Sequence, residues 1–258
     1  MTDKLLFTTD PRGVATLTIN FPERRNAYDQ DVLDGIAHHC KTLGADPKVR
    51  AIVLRGAGEH FSAGADVRWH AEQRKDPVPV PSVFDICEVV NSTPKPTIAL
   101  VRGVCAGGAL ALASCCDILI AARDAVFAIP EVRLGFPAGP SSAPVFIRAV
   151  GLRAFRRLGM TGQKFGAEEA LRNGLAHQLC EVAEAEQALA AQIDEILLSA
   201  PIAAGKTKLL AARVGKEFPP ADVLAEMAPM FAGAMESAEA AEGRASFIEK
   251  RKPNWYPQ

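Results

Sequence analysis

The chain has 258 residues, enough for one large domain or for one domain with a small appendage. Apolar residues make up 48% of it and charged residues 23%, a composition that excludes disordered and fibrous proteins. Lys plus Arg (29) nearly balance Asp plus Glu (30), so a net charge of -1 provides no positive surface for a nucleic-acid backbone, and no nucleic-acid partner is expected.

Neither a membrane span nor an export signal is predicted. The most apolar stretch, residues 97–122, is interrupted by Arg102 and Asp117, and the uncharged run between them is shorter than the roughly 20 residues of a transmembrane helix. At the N-terminus, Asp3 and Lys4 precede a very short apolar run, unlike a signal peptide. The cysteines show no C-x-x-C pair and no histidine at zinc spacing, so we expect buried thiols in a reducing, cytoplasmic protein without a metal site: Cys40, Cys87, Cys105, Cys115, Cys116 and Cys180.

Strand and helix patterns alternate through the first quarter of the chain. Val14–Ile19 alternates apolar and hydroxyl-bearing residues, which predicts a half-buried strand. From Asp29 onward apolar residues recur at helical spacing, which predicts an amphipathic helix with negative charge in its first turn. Residues 51–54 (AIVL) form a continuous apolar run before two glycines, typical of a strand buried on both faces.

The same alternation continues beyond residue 80. Ser82 is a candidate N-cap for a helix, and Thr97–Val101 (TIALV) predicts a second buried strand. A glycine-bearing turn (103–108), a short helix (109–115) and a third strand (118–121) follow. Strand, turn, helix and strand within so few residues make a βαβ unit, so an α/β fold with a parallel sheet is predicted.

Helical patterns dominate after Gly151. No internal repeat is present, which excludes a solenoid. The predicted helices cover residues 153–160, 167–172, 183–198, 202–214 and 237–249.

Two glycine-bearing turns place main-chain groups, rather than side chains, at predicted strand ends. They are residues 61–66 (FSAGAD) and residues 105–108 (CAGG), the second directly before a helix. Unpaired N–H groups at such positions point outward, and ligands of parallel sheets bind beyond the carboxyl ends of the strands. Two turns of this kind are expected to supply two donors to one oxygen, forming an oxyanion hole. The alternative is that Gly107 and Gly108 serve only tight packing of helix on strand.

Glu131 is the carboxylate singled out by its neighbours. Pro130 restricts the backbone before it, and Phe127, Ile129 and Phe136 make the vicinity apolar. Partial desolvation there raises a carboxyl pKa, as a general base requires. The alternative is a solvated loop glutamate, the usual state of an acidic residue.

Taken together, these segments resemble the crotonase superfamily, the enoyl-CoA hydratases and isomerases, over nearly the whole chain. Single segments are unspecific, but their order and spacing are characteristic of that family. The similar segments are residues 22–27 (P-x-x-x-N-A), 61–66 (F-x-A-G-A-D), 103–117 (the second glycine turn and a helix ending in C-D), 130–135, 148–151, 161–162, 174–175 and 247–252.

The resemblance implies an acyl-CoA site. By this likeness the backbone N–H groups of Ala63 and Gly108 bind the thioester oxygen, and Glu131 is an acid/base at the α or β carbon of the substrate. No cofactor is expected beyond the coenzyme A that the substrate itself carries. A further set of residues is implied near the adenine and pantetheine of that coenzyme: Arg25, Ala27, Ala65, Asp66 and Val67.

One position departs from the hydratase pattern. Hydratases of this family carry a first glutamate three residues after the second oxyanion glycine, and here that residue is Ala111. With one carboxylate, single-base Δ3,Δ2-enoyl-CoA isomerisation by Glu131 is the first interpretation. A hydratase or other acyl-CoA lyase with an unrecognised second acid/base is the alternative, and a catalytically silent CoA-binding homologue is another. Four acidic residues near the first turn are candidates for that second group: Glu59, Glu72, Asp85 and Glu88.

Trp69 and His70 follow the first turn, in a region that lines the acyl pocket in the resembled family. A catalytic His70 is one interpretation, and a packing or surface role is the commoner one for such a residue. The remaining histidines are interpreted as structural: His38, His39, His60 and His177.

The resemblance also implies an architecture and an assembly. The expected fold is a crotonase-like ββα spiral core with a parallel sheet over residues 1–200, followed by a helical oligomerisation region over residues 201–258. A homotrimer or hexamer is implied. Apolar residues of the tail offer surface for such contacts, although burial within one chain explains them equally well: Phe218, Met227, Met230, Phe231 and Met235.

Overall fold

The computed structural model describes residues 4–73, 82–139, 142–214 and 235–251, with the isolated positions 225, 228, 229, 232 and 233. By its internal contacts the chain divides into two units. The first consists of Met1–Phe127 and Phe165–Lys216, and the second of Ala128–Lys164 and Glu217–Gln258.

The strands form two sheets within the described residues. The larger has six strands in the order β1-β2-β3-β4-β6-β9, and the smaller has three in the order β5-β7-β8. The strands are β1 (Leu5–Thr9), β2 (Val14–Ile19), β3 (Ala51–Gly56), β4 (Thr97–Val101), β5 (Val104–Ala106), β6 (Ile118–Ala122), β7 (Val126–Ala128), β8 (Phe165–Gly166) and β9 (Gln178–Cys180).

The larger sheet is parallel from β2 to β9. Strand β1 pairs antiparallel with β2, whereas β2·β3, β3·β4, β4·β6 and β6·β9 are all parallel pairs. Because parallel strands need crossover connections, helices lie between them in the chain. The predicted α/β class with a parallel sheet is confirmed.

The helices have the following bounds within the described residues. They are α1 (Gln30–Ala45), α2 (Val67–Gln73), α3 (Val83–Ser92), α4 (Gly108–Ser114), α5 (Ala143–Val150), α6 (Leu152–Thr161), α7 (Ala167–Arg172), α8 (Ala185–Leu198), α9 (Pro201–Val214) and α10 (Ala238–Glu249), with 3-10 turns at Pro22–Arg24, Glu131–Leu134 and Val182–Glu184.

The core of the first unit covers both faces of the central strands. On one face Val53, Ile98 and Leu100 pack with Leu189 and Ile193 of α8. Alternate strand residues point the other way, so β3 and β4 read as continuous apolar runs. On that second face, Ile52 and Leu54 of β3 line a cavity whose wall includes residues of α1 and α3.

Local capping explains where two of the predicted helices begin. The Asp29 carboxylate accepts a hydrogen bond from the Val32 N–H at the start of α1. At α3, the Ser82 hydroxyl accepts from the Asp85 N–H while the Asp85 carboxylate accepts from the Ser82 N–H (2.6 Å). The predicted N-cap at Ser82 is therefore confirmed, and Asp85 is occupied in holding it.

Sequence patterns found the longer strands and most helices, and missed the short strands and helices α2 and α5. The predicted strands at Val14–Ile19 and Thr97–Val101 are confirmed with the same bounds. Strand β1 was not predicted, and four of its five residues are exposed. Strands of two or three residues, such as Phe165–Gly166, are too short to show any periodicity.

The second unit holds the 3-10 turn that begins at Glu131. Helix α10 packs closely on this turn at Gly243, where a Cβ would overlap the Leu134 backbone carbonyl. On α6, the Thr161 carbonyl accepts a hydrogen bond from Arg133 Nε (3.0 Å). Helices α6 and α10 thus fix the turn through contacts inside one unit.

The division into units does not follow the predicted boundary at residue 200. Helix α9 belongs to the first unit, where the buried Lys208 ammonium donates to Val90 O (3.0 Å) and pairs with Asp117 (2.9 Å). Helix α10 belongs to the second unit. The predicted functional division into an acyl-CoA-binding core and an oligomerisation region stays a prediction. Of the tail residues named for assembly, Met235 is buried, and the others lie outside the described residues: Phe218, Met227, Met230 and Phe231.

In the described part of the chain, no single helix has both the length and the apolar character needed to cross a membrane.

Candidate active site

The first glycine turn lies between two neighbouring segments. On one side Ser62 pairs with β5: its N–H donates to Val104 O (3.0 Å) and its carbonyl accepts from Ala106 N–H (3.1 Å). On the other side Tyr28 N–H donates to Gly64 O (2.9 Å). The turn is therefore hydrogen-bonded on both flanks, which fixes its main chain.

The amide of Ala63 is not available to a ligand. Its N–H donates to the Arg25 carbonyl at 2.9 Å. A donor already engaged by a backbone acceptor cannot serve as a preformed oxyanion donor without breaking that bond. The prediction that Ala63 supplies the first donor is therefore wrong.

The amide of Ala65 takes the place predicted for Ala63. The residues on either side of it are bonded to Tyr28: Gly64 O accepts from Tyr28 N–H, and Asp66 N–H donates to Tyr28 O (2.8 Å). In such a parallel bridge the middle residue directs its own N–H away from the partner. Ala65 N–H makes no hydrogen bond to any residue that the structure describes.

The second donor is the N–H of Gly108. Gly108 is the first residue of α4, so its N–H has no acceptor within the helix, and none is found among the described residues. The two turns adjoin here, since a Cβ built on Gly64 would lie 4.0 Å from Gly108 N. Adjacent turns of the first unit thus supply two amides that have no acceptor among the described residues, and we call them the free amides.

Glycine is required at Gly64 and Gly108 by close approach. Gly64 has φ +97°, and a Cβ on it would lie 2.9 Å from Ala106 O. A Cβ on Gly108 would overlap the hydroxyl oxygen of Tyr28. The second glycine turn therefore has both features. Gly108 is tightly packed, as the alternative interpretation holds, and its N–H has no acceptor among the described residues.

Asn26 links residues 25–28 to the first glycine turn, a role that the sequence did not reveal. It is fully buried with φ +55°, a conformation that asparagine tolerates better than most residues. Its side-chain amide donates to Ala57 O (2.8 Å) and His60 O (2.6 Å), and its backbone carbonyl accepts from the Ser62 hydroxyl (2.6 Å). Asn26 therefore holds the stretch that leads from β3 into the turn.

The residues implied for coenzyme A lie in these two segments of the first unit. Asp66 caps α2 by accepting from Arg68 N–H (2.8 Å), and it also accepts from Arg24 Nη1 (2.8 Å). Partial burial opposes ionisation, but hydrogen bonds from Arg24 and from the α2 backbone keep the pKa of Asp66 below its usual value. The structure places the implied set along 25–27 and 65–67, and contact with coenzyme A stays a prediction for each: Arg25, Ala27, Ala65, Asp66 and Val67.

Glu131 stands at the start of its 3-10 turn in the second unit. The carboxylate oxygen Oε2 is shielded from solvent and has no hydrogen-bond partner among the described residues. Burial raises the pKa of Glu131 to about 7, although its own backbone N–H favours the charged form. The expected desolvation is thus present, and a solvated loop glutamate does not describe this side chain.

Among the four candidate second carboxylates, Glu88 shares one feature with Glu131, an Oε2 that is shielded from solvent. Asp85 is held in the α3 capping box, and Glu59 and Glu72 are exposed. Glu88 lies five residues after Val83 on α3, which at 3.6 residues per turn is roughly 140° around the helix from it. Val83 is an α3 residue that lies beside Gly108, so Glu88 stands on a different side of the helix from that contact.

The contacts seen among the described residues do not identify Ala111 or a histidine as a second acid or base. Ala111 is fully buried in α4. Ring nitrogens Nδ1 of His60 and His177 accept from the backbone N–H groups of Val104 (3.3 Å) and Leu119 (3.0 Å), which supports structural roles. His70 lies on α2, its ring centroid 6.2 Å from that of Trp69, and its catalytic role stays a prediction.

Comparison with known proteins identifies the relatives of this chain. A family model described as "Enoyl-CoA hydratase/isomerase" matches residues 9–258. A putative enoyl-CoA hydratase of Thermus thermophilus is 33% identical over 251 residues, covering 94% of this chain and 97% of that protein.

Two solved structures have the same fold over the whole chain. An enoyl-CoA hydratase from Mycobacterium avium subsp. paratuberculosis superposes with a TM-score of 0.86 at 26% identity, covering 100% of both chains. A methylmalonyl-CoA decarboxylase in complex with 2-nitronate-propionyl-CoA superposes with a TM-score of 0.88 at 27% identity, again over 100% of both chains.

Proposed function

The chain belongs to the enoyl-CoA hydratase/isomerase family, and we propose that it catalyses Δ3,Δ2-enoyl-CoA isomerisation with Glu131 as its single acid/base. As a member of this family it is a crotonase-type enzyme that acts on acyl-CoA thioesters. The finer proposal rests on one observation: Glu131 Oε2 is shielded from solvent and has no hydrogen-bond partner among the described residues, and burial raises the pKa of Glu131 to about 7.

The proposed reaction begins with proton removal from C2 of a 3-enoyl-CoA. The Glu131 carboxylate takes this proton, and the electron pair of the broken C–H bond moves toward the thioester carbonyl. A dienolate forms, and its oxygen gains negative charge. The N–H groups of Ala65 and Gly108, which have no acceptor among the described residues, stabilise that charge without reorganising.

The second step returns the same proton at C4. The protonated Glu131 donates it to the C3–C4 π electrons, which form the C4–H bond. The C1–C2 π electrons of the dienolate then form the C2–C3 double bond, and the oxygen electron pair restores the thioester carbonyl. No proton is gained or lost overall, so one carboxylate suffices. A pKa of about 7 suits both roles, since base and acid forms are then equally accessible at neutral pH.

Enoyl-CoA hydration is the second candidate, and the names of the relatives favour it. Several of the related proteins are described as enoyl-CoA hydratases. Hydration needs a group to activate water as well as a proton donor, and Ala111 stands where the first glutamate of hydratases is expected. A catalytically silent CoA-binding homologue remains the third candidate.

The test uses two substrates and two variants. Purified protein is incubated with a 3-enoyl-CoA and separately with a 2-enoyl-CoA, and the products are separated by chromatography. We expect the 3-enoyl substrate to become the 2-enoyl product without a 3-hydroxyacyl product. Glu131→Gln should lower kcat about 1000-fold and leave CoA affinity within twofold, since it removes proton transfer alone.

Glu88→Gln is the companion variant, because Glu88 is the candidate second carboxylate whose Oε2 is also shielded from solvent. It should keep full isomerase activity. Formation of a 3-hydroxyacyl product that Glu88→Gln abolishes would replace isomerisation by hydration. Tight CoA binding with neither conversion would favour the silent homologue.

A further inference from the structure

Tyr28 touches both main-chain segments that carry the free amides. Its backbone binds the turn on either side of Ala65, donating to Gly64 O (2.9 Å) and accepting from Asp66 N–H (2.8 Å). Its side chain is 2% exposed and reaches across to Gly108. One residue therefore contacts both halves of the donor pair.

The contact with Gly108 is made by the phenol end of the ring. A Cβ built on Gly108 would overlap the Tyr28 hydroxyl oxygen and lie 3.1 Å from Tyr28 Cζ. The same Cβ would lie 3.1 Å from Val83 Cγ1, so the start of α4 is held between Tyr28 and Val83. Removal of the hydroxyl oxygen would leave a gap on one side of Gly108.

We propose that Tyr28 is a positioning residue that sets the separation and orientation of the Ala65 and Gly108 N–H groups. This inference rests on the proposed function, in which these amides bind the thioester oxygen. Oxyanion stabilisation needs both donors at roughly 2.7–3.1 Å from one oxygen. An error of about 1 Å in such geometry can cost about 100-fold in rate. A rigid ring between the two segments limits that error.

The experiment reads the polarisation of the thioester carbonyl directly. Butyryl-CoA labelled with ¹³C at the carbonyl is saturated, so it binds without isomerisation. Isotope-edited infrared spectroscopy compares the carbonyl stretch of free and bound ligand. We expect the native enzyme to shift the stretch to lower wavenumber, and Tyr28→Phe to lose about half of that shift.

Kinetics of the same variants separate positioning from binding. Tyr28→Phe should lower kcat about tenfold with KM within twofold, and Tyr28→Leu about 100-fold. Thr93→Val is the matched control, since it removes another buried hydroxyl of the first unit, one that donates to Cys40 O (3.0 Å). It should lower the melting temperature comparably and keep the full infrared shift.

A double-mutant cycle tests the contact itself. Gly108→Ala should lose the infrared shift in the native background, because the new methyl group meets the Tyr28 hydroxyl. In the Tyr28→Phe background the same substitution should cost less, since the overlapping oxygen is gone. Additive losses would contradict the contact.

The outcomes distinguish this inference from the proposed function. A full shift and an unchanged kcat in Tyr28→Phe would overturn the role of Tyr28 alone. Absence of any shift in the native enzyme would overturn both. A shift that Tyr28→Phe reduces, in a protein that does not isomerise 3-enoyl-CoA, would support Tyr28 and remove the isomerase proposal.

Discussion

At the scale of single residues, the chemistry depends on what each polar group is already bonded to. Ala63 and Ala65 are chemically alike, yet one N–H donates to Arg25 O and the other has no acceptor among the described residues. Glu131 differs from the exposed glutamates in the same way, since its Oε2 lacks both solvent and a partner there. The hydrogen-bond partner and the burial of a group, rather than its residue type, therefore distinguish functional groups from structural ones.

The pKa of Glu131 predicts the pH dependence of the rate. Proton removal from C2 requires the carboxylate, so kcat/KM should fall about tenfold per pH unit below a pKa of about 7. The measurement is a profile of kcat/KM with a 3-enoyl-CoA between about pH 3.5 and 9. An acidic limb that bends near 4.5 would contradict the desolvated state of Glu131.

The same shift predicts a dependence of stability on pH. The folded pKa of Glu131 is raised above its unfolded value, so between about pH 4.5 and 7 the folded state binds more protons than the unfolded state. The contribution of the neutral carboxyl is therefore present at low pH and lost as pH rises through about 7. Relative to Glu131→Gln, the native protein should lose on the order of 3 kcal/mol of unfolding free energy from pH 4.5 to 8. Urea unfolding of both proteins at the two pH values measures this, and parallel curves would refute it.

At the scale of elements, close backbone packing holds the turn of Glu131. Gly243 of α10 lets the helix approach Leu134, and Arg133 binds the last turn of α6. Both contacts are tertiary, and neither residue is chemically special in the sequence. A helix placed far along the chain from Glu131 thus determines where its carboxylate lies within the second unit.

Gly243→Ala should displace that turn. The added methyl group overlaps the Leu134 backbone, so we expect a loss of about 1–3 kcal/mol in unfolding free energy and a fall in kcat. Gly166→Ala is the matched control, because a Cβ there meets no atom within 4 Å. Thermal unfolding and kinetics of both variants provide the measurement. Equal behaviour of the two would argue against a tight contact at Gly243.

At the scale of the whole molecule, apolar side chains remain exposed on several helices. Leu198 and Ile202 are 82% and 73% exposed, and Phe247 and Ile248 of α10 are 61% and 66% exposed. Exposed apolar groups in such number favour contacts between copies of a chain. We therefore expect self-association, and the homotrimer or hexamer implied by the family resemblance stays a prediction.

Sedimentation velocity tests the assembly. Particles of three or six times the chain mass of 27.5 kDa are expected at micromolar concentration. Replacing both Phe247 and Ile248 by glutamate should shift the distribution toward smaller species, because burying a charge at an apolar interface is costly. A native protein that sediments as a monomer would refute the prediction.

The sequence by itself determined the elements whose signals are local. Continuous apolar runs predicted β3 and β4, apolar spacing from Asp29 predicted α1, Ser82 predicted the N-cap of α3, and apolar neighbours predicted a raised pKa at Glu131. The ordered motifs also predicted the family. Edge strand β1 and the strands of two or three residues were missed, because they are exposed or too short for a pattern.

Only the tertiary structure decided which amides are free. Ser62 N–H donates to Val104 O, whereas Ala63 and Asp66 donate to Arg25 and Tyr28, and the sequence does not tell that 25–28 lies on one flank and β5 on the other. For that reason Ala63 was predicted where Ala65 is found, and Tyr28 was not predicted at all. The hydrogen-bond partners of this turn come from segments distant in the chain. A local motif therefore predicts the turn, whereas tertiary packing determines which of its N–H groups is available to a ligand.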